Sequence, residues 1–321
     1  MQNRLTIKDI ARLSGVGKST VSRVINNESS VNPETRARVL QVIEQHNFHP
    51  SKSARSLRSL SDKVVAIIVS RLDSPSENQA VRSMLPLFYQ QGYDPIVLES
   101  QFSPARVEEH LQVLAQRNID GVVLFGFTGL GSEMLTPWQD KLVMMARPMP
   151  GLSSVCYDDA GAVALLMDEL IKRQLRHISF IGVMPEDATT GKQRSDAYRA
   201  VCHAHNLLPS LALGDLGYQS GYDLLPQVLT PQTQAVICAS DTITLGVQKY
   251  LQRVQPNAVQ VCCIGTNPLL HFLYPATLIV SLGYSSSGEA AAKQLIAQLS
   301  GSSPHQQITL SARLIAAPHI P

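Results

Sequence analysis

The sequence predicts an α/β chain in two parts: an all-helical head, then two lobes of alternating strands and helices. Three observations carry this prediction. Apolar residues recur at helical spacing between Ile7 and Ile43. From Lys63 onward, short continuous apolar runs alternate with amphipathic segments, the pattern of buried parallel strands and the helices that cover them. Charge divides at the same place: residues 1–63 hold 11 Lys/Arg against 5 Asp/Glu, and the remainder holds 16 against 20. A basic head on a mildly acidic body points to a head that meets a polyanion.

The head reads as three helices. Thr6 caps the first, with Asp9 favoured by the positive N-terminal end of the helix dipole. This helix carries Ile7, Ile10, Ala11 and Leu13 and stops at Ser14-Gly15, where glycine suits a backbone turn with positive φ. A second helix from Lys18 to Ile25 buries Val21 with Val24 and Ile25. The small Ala11, the turn at Gly15, and Val16, Val21 and Val24 form the spacing of a helix-turn-helix, whose tight crossing needs those residue sizes at those offsets. A third helix opens at Asn32-Pro33-Glu34, and its Val39, Leu40, Val42 and Ile43 are expected to close the core. The Gly-Lys-Ser-Thr within "SGVGKST" is not a phosphate loop. Such a loop needs a glycine where this chain has Arg12, and it should follow a buried strand.

The body gives two successive sets of strands. "KVVAIIVS", "DPIVLES", "DGVVLFGF" and "KLVMMA" form the first; "RHISFIGV", "QAVICAS", "VQVCCIG" and "TLIVSLG" form the second. Two doubly wound sheets follow, and in such sheets ligands gather outside the C-terminal strand ends. Those ends and the loops after them bring Arg71, Glu77, Gly126 and Arg147 from the first lobe, and Thr189, Thr190, Lys192, Arg194, Asp241, Thr242 and Tyr284 from the second. Several arginines aimed at one cleft suit an anionic ligand, since the planar guanidinium makes strong charge-assisted bonds to phosphate. "SARLIAAPHIP" is read as a tail running past the last strand.

Other classes are disfavoured. There is no nucleophile elbow, complete phosphate loop or metal-ligand cluster, so neither catalysis nor a cofactor or metal is expected. His203-x-His205 reads as an exposed helix face. The five cysteines form no CxxC pair and are expected to be reduced and buried. No signal-like apolar segment follows the N-terminus and no run approaches a membrane span, so the expectation is a soluble, cytoplasmic protein.

The stretch "TIKDIARLSGVGKSTVSRVINN…VNPETRARV…ARSL" resembles the DNA-binding head of the LacI/GalR family of repressors, and the resemblance continues through the body. It implies a headpiece over residues 1–50, a hinge helix over 51–61 and a two-lobed effector-binding and dimerisation domain over 62–321, built like the periplasmic sugar-binding proteins. By the same resemblance, Lys18, Ser19 and Arg23 read base edges in the major groove, while Thr6, Thr20, Ser22 and Asn26 contact phosphates. Leu57, flanked by Arg58, is the wedge that enters the minor groove. Paired hinges imply a homodimer on a palindromic operator. Gly17 departs from the serine common in the family, which implies a slightly looser start to the recognition helix. Stretches such as "DKVVAIIVSRLDSPSENQAV", "SVCYDD" and "TTGKQRSDAY" resemble the trehalose-responsive members, which implies trehalose 6-phosphate as the effector. The residues alone leave open another sugar, sugar phosphate or purine.

Overall fold

The computed structural model describes residues 5–25, 28, 30–46, 48, 63–254, 259–302 and 304–315. It falls into two compact units, Met1–Lys63 and Val64–Pro321.

In the first unit, α1 (Ile7–Ser14), α2 (Lys18–Ile25) and α3 (Pro33–Gln45) surround a small core of Ile10, Ala11, Val21, Val24, Val31, Val39 and Phe48. The backbone N–H and the hydroxyl of Thr6 both donate to Asp9 Oδ2, at 2.9 and 2.7 Å, so the start of α1 is fixed locally. Gly15 ends α1 in the left-handed region, at φ 66°, as its place in the turn requires. The Asn32 side chain accepts from Glu34 N and Pro33 occupies the first turn of α3. One expected core residue is corrected: Leu40 is 47% exposed, and Leu13 of α1 is 45% exposed, because each lies at the edge of its helix's apolar stripe.

The second unit is an α/β body with two six-stranded sheets. Its elements in chain order are β1 (Lys63–Val69), α4 (Pro75–Gln90), β2 (Tyr93–Glu99), α5 (Pro104–Gln116), β3 (Gly121–Phe125), β4 (Leu142–Met145), β5 (Ser153–Tyr157), α6 (Asp159–Lys172) and β6 (Ile178–Val183). Then come α7 (Arg194–Ala204), β7 (Ser210–Gly214), α8 (Tyr218–Leu224), β8 (Ala235–Cys238), α9 (Asp241–Val254), β9 (Gln260–Ile264), α10 (Pro268–Leu273), β10 (Leu278–Ser281), α11 (Tyr284–Leu299), β11 (Gln307–Leu310) and β12 (Arg313–Ile315). The first sheet has the order β11-β5-β4-β3-β1-β2 and the second β12-β10-β9-β8-β6-β7. Strands β3, β4, β5 and β11 run parallel to their neighbours, as do β6 to β10 in the second sheet; β12 lies antiparallel to β10.

Both faces of each sheet are covered, which explains the continuous apolar runs of β1, β3, β6 and β8. Four strands were not expected from the sequence: β5, β7, β11 and β12. "SARLI" does not run past the last strand, since Arg313–Ile315 forms β12 at the edge of the second sheet. The chain therefore passes between the sheets three times: after β5, after β10 and after β11. Helix α6 packs in the core of the second sheet, and α11 in the core of the first, through Ala291, Ala292 and Leu295. All five cysteines are free and buried, as expected. Among the described residues no helix is long and apolar enough to cross a membrane.

Candidate functional site

In the head, the exposed start of α2 presents Lys18 and Ser19, with Arg23 one turn further along and Thr20 and Ser22 half-buried beside them. Gly17 offers no capping side chain, but its carbonyl accepts from Thr20 N and Val21 N at 3.0 and 3.1 Å, so α2 starts regularly. Arg23 Nε lies 3.8 Å from Glu28 Oε2, and both side chains are about half exposed. Thr6 is exposed at the start of α1. Asn26, Leu57 and Arg58 lie outside the described residues.

In the body, a cleft opens at the C-terminal strand ends. Ten of the eleven residues brought to the strand ends line it: Arg71, Glu77, Gly126 and Arg147 from the first lobe, and Thr189, Thr190, Arg194, Asp241, Thr242 and Tyr284 from the second. Lys192 does not line it; that side chain is turned to Asp196, 2.5 Å away on the surface.

Each lobe sets its side chains differently. Arg71 follows β1, and its Nη1 donates to Leu216 O at 3.3 Å, across to the second lobe. Its Nε lies 3.4 Å from Asp73 Oδ1, a carboxylate 80% exposed to water. Arg147 follows Ala146, whose φ of 67° turns the chain sharply at the end of β4. The Arg147 Nη1 donates to Phe127 O at 2.7 Å. Each guanidinium is thus held by a backbone carbonyl, Arg71 also by the exposed Asp73 carboxylate, and both line the cleft beside Phe102, Phe125 and Phe127. Glu77, in the first turn of α4, accepts from Ser70 N at 2.7 Å. Loss of hydration in the cleft wall pushes its carboxyl up to about 7, against the bond from Ser70 and the attraction of Arg71.

The second lobe holds a fully buried ion pair. Arg194 donates through Nε to Asp159 Oδ1 at 2.7 Å, with Nη2 2.6 Å from the same oxygen, and Nη1 donates to Ala239 O. Burial works most strongly against the guanidinium's charge, but Asp159, with Tyr284 and Asp187, together outweigh it, and the pKa of Arg194 is raised. Asp241 accepts from Asn267 Nδ2 at 2.7 Å; burial raises its pKa against that bond. Thr242 and Ser240 share a hydroxyl bond of 2.9 Å. Asp187 Oδ1 accepts from Thr189 N, Thr189 Oγ1 and Gly191 N, which fixes the irregular turn Ala188–Gln193 that carries both threonines. Tyr284, 7% exposed, meets Tyr157 edge to face, with centroids 5.2 Å apart.

Sequence reasoning missed Asp159 and Tyr157, which frame the first crossing between sheets, and also Asp187, Phe102 and Phe127. The signal for the first two lay in "SSVCYDD": once β5 is seen as a strand, its C-terminal end supplies both.

The body thus holds a polar, arginine-rich cleft, and the other unit is a helix-turn-helix head. Residues 6–51 match the model of the bacterial regulatory proteins of the lacI family, and residues 167–316 match a periplasmic binding protein-like domain. The chain belongs to the lacI family and is a DNA-binding transcriptional repressor, not an enzyme. It is 58% identical over 314 residues to the HTH-type transcriptional regulator TreR of Escherichia coli K12, covering 98% of this chain and 100% of that one. It is 25% identical to the sucrose operon repressor of Staphylococcus xylosus, over 90% of this chain and 92% of the relative. The solved trehalose repressor from Escherichia coli superposes with a TM-score of 0.79 at 55% identity, covering 79% of this chain and all of that one. A lac repressor dimer bound to operator and an anti-inducer shares the fold, with a TM-score of 0.81 at 16% identity over 98% of each chain.

Proposed function

We propose that the chain is a cytoplasmic, homodimeric repressor of genes for trehalose uptake and breakdown, released from a palindromic operator when trehalose 6-phosphate binds between the lobes. The observation that carries the effector is the pair Arg71 and Arg147: two cations arriving from separate strand ends and oriented by backbone carbonyls. They are the groups for a phosphate. Deeper in the cleft, Arg194, Asp241 and Thr242, with Glu77, offer fixed donors and acceptors for glucosyl hydroxyls, and Tyr284 supplies an apolar wall. The names of the relatives support trehalose as the sugar.

In the head, Lys18, Ser19 and Arg23 read bases, with Leu57 and Arg58 in the minor groove, while Thr6, Thr20, Ser22 and Asn26 hold phosphates. Residues 1–50, 51–61 and 62–321 serve as headpiece, hinge and effector domain. Calorimetric titration of trehalose 6-phosphate and trehalose into the full-length protein tests the effector. Clear preference for the phosphate supports this reading; equal or absent binding overturns it.

A further inference from the structure

Strand β2 ends at Glu99, and the loop after it takes an expensive path. Gln101 and Phe102 adopt successive left-handed conformations, φ 53° and 55°, which a bulky side chain rarely tolerates. The path is enforced from several sides. Ser100 N donates to Val69 O and Gln101 N to Ser70 O, both at 2.9 Å, and Ser103 N donates to Ser100 O at 3.0 Å. The Gln101 side chain is gripped between Glu99 Oε2 at 2.9 Å and Arg106 Nη1 at 2.8 Å. Glu99 Oε1 in turn accepts from Leu72 N at 2.8 Å, tying the loop to the segment that carries Arg71.

What this buttressing achieves is the placement of one side chain. Phe102 lines the cleft yet is 44% exposed, so it does not fill a core. Its ring meets the buried Phe127 edge to face, with centroids 5.8 Å apart, and it is Phe127 whose carbonyl orients Arg147. The two rings therefore form an apolar wall in the cleft, beside the carbonyl that orients Arg147. An aromatic face held half-open in a polar cleft suits the C–H face of a pyranose ring.

We propose that Phe102 is a specificity-determining residue that packs against the C–H face of the sugar ring, its wall shared with Phe127. This rests on the sugar-phosphate reading of the cleft. The contact is with the ring, not the phosphate, so it serves the free and the phosphorylated disaccharide alike.

The test uses full-length wild type, Phe102→Ala, Phe102→Leu and Phe102→Gly, with trehalose 6-phosphate and trehalose, by calorimetry and thermal melting. Phe102→Ala weakens both ligands by about 10- to 100-fold, the factor expected from losing a buried aromatic contact, and leaves their ratio unchanged. Phe102→Leu recovers part of the loss. Phe102→Gly, which relieves the backbone, keeps the ligand-free melting temperature while losing the ligand-induced rise. Affinities within twofold of wild type in Phe102→Ala overturn the proposal, as does a loss confined to the phosphorylated ligand. A fall of several degrees in ligand-free Phe102→Gly makes Phe102 a structural filler and overturns it too. Wild type that binds neither sugar is a different failure: it removes the effector reading, and this proposal with it, before any variant is measured.

Discussion

Two residues in the cleft illustrate how environment assigns chemistry. Arg71 is oriented by Leu216 O and by an exposed carboxylate, an arrangement that leaves it fit for an incoming anion. Arg71→Ala is expected to weaken trehalose 6-phosphate by about 10- to 100-fold, the scale of one charge-assisted hydrogen bond, while leaving trehalose nearly unaffected. Parallel titrations give the two ratios directly, and an unchanged preference would remove the phosphate from Arg71. Glu77 predicts a pH dependence. Its carboxyl holds its proton to about 7 in the fold, against 4.5 as the ordinary value. Between those values the folded state binds the extra proton, so this group's contribution to stability falls as pH rises from 4.5 to about 7, and is level above that. The full effect is at most about 3 kcal/mol. Denaturant unfolding of the ligand-free protein between pH 5 and 8 should show a smaller slope in Glu77→Gln. At this scale the sequence was informative where a residue followed a recognisable strand: ten of the eleven residues brought to the strand ends line one cleft, Lys192 alone turning to the surface. It was silent on Phe102, because no local pattern announces that a phenylalanine will take a positive φ.

At the scale of elements, α4 packs very closely against α11. A Cβ on Gly288 would lie 2.1 Å from Ala80 O and 2.3 Å from Ser83 Oγ, so only glycine lets the helices approach this closely. Ser83 Oγ also donates to Ser285 O at 2.7 Å, binding α4 to the start of α11, where Tyr284 enters the cleft. Gly288→Ala should destabilise the body by about 1–3 kcal/mol through overpacking, lowering its melting temperature by several degrees; an unchanged melting curve would show that the helices part without cost. Elements with long apolar runs, such as β1 and β6, were legible because burial on both faces leaves a continuous pattern. The missed strands lack it. Ser153 and Ser154 interrupt β5 with polar atoms, β7 is only partly buried at a sheet edge, β11 alternates exposed and half-buried positions, and β12 has three residues. In the head, Leu13 and Leu40 fit the helical period but not the buried face, since periodicity fixes a stripe and not its edges.

At the scale of the whole molecule, the proposed function is a linkage between two sites. If trehalose 6-phosphate lowers operator affinity by a typical coupling of about 1–3 kcal/mol, or roughly 5- to 150-fold, operator DNA must weaken trehalose 6-phosphate binding by the same factor. Titrating the effector with and without a palindromic duplex measures both sides of that equality, and unequal factors would reject the scheme. The head contributes a separate expectation. Leu57→Ala is expected to reduce specific operator binding while leaving nonspecific, salt-sensitive binding nearly intact, since a minor-groove wedge carries no share of counterion release. Equal loss of both in a salt series would show that Leu57 does not act as a wedge. The overall plan was readable because charge, periodicity and strand pattern all changed near Lys63.

The three passages of the chain between the sheets also bear on how the protein is made. The first sheet lacks its edge strand β11, and its core lacks α11, until residues 284–310 have been synthesised. A nascent chain leaving the ribosome thus exposes the flank of β5 throughout translation of the second lobe. Neither lobe corresponds to a contiguous stretch of the gene, so a polypeptide interrupted before residue 307 cannot complete even the half that was made first.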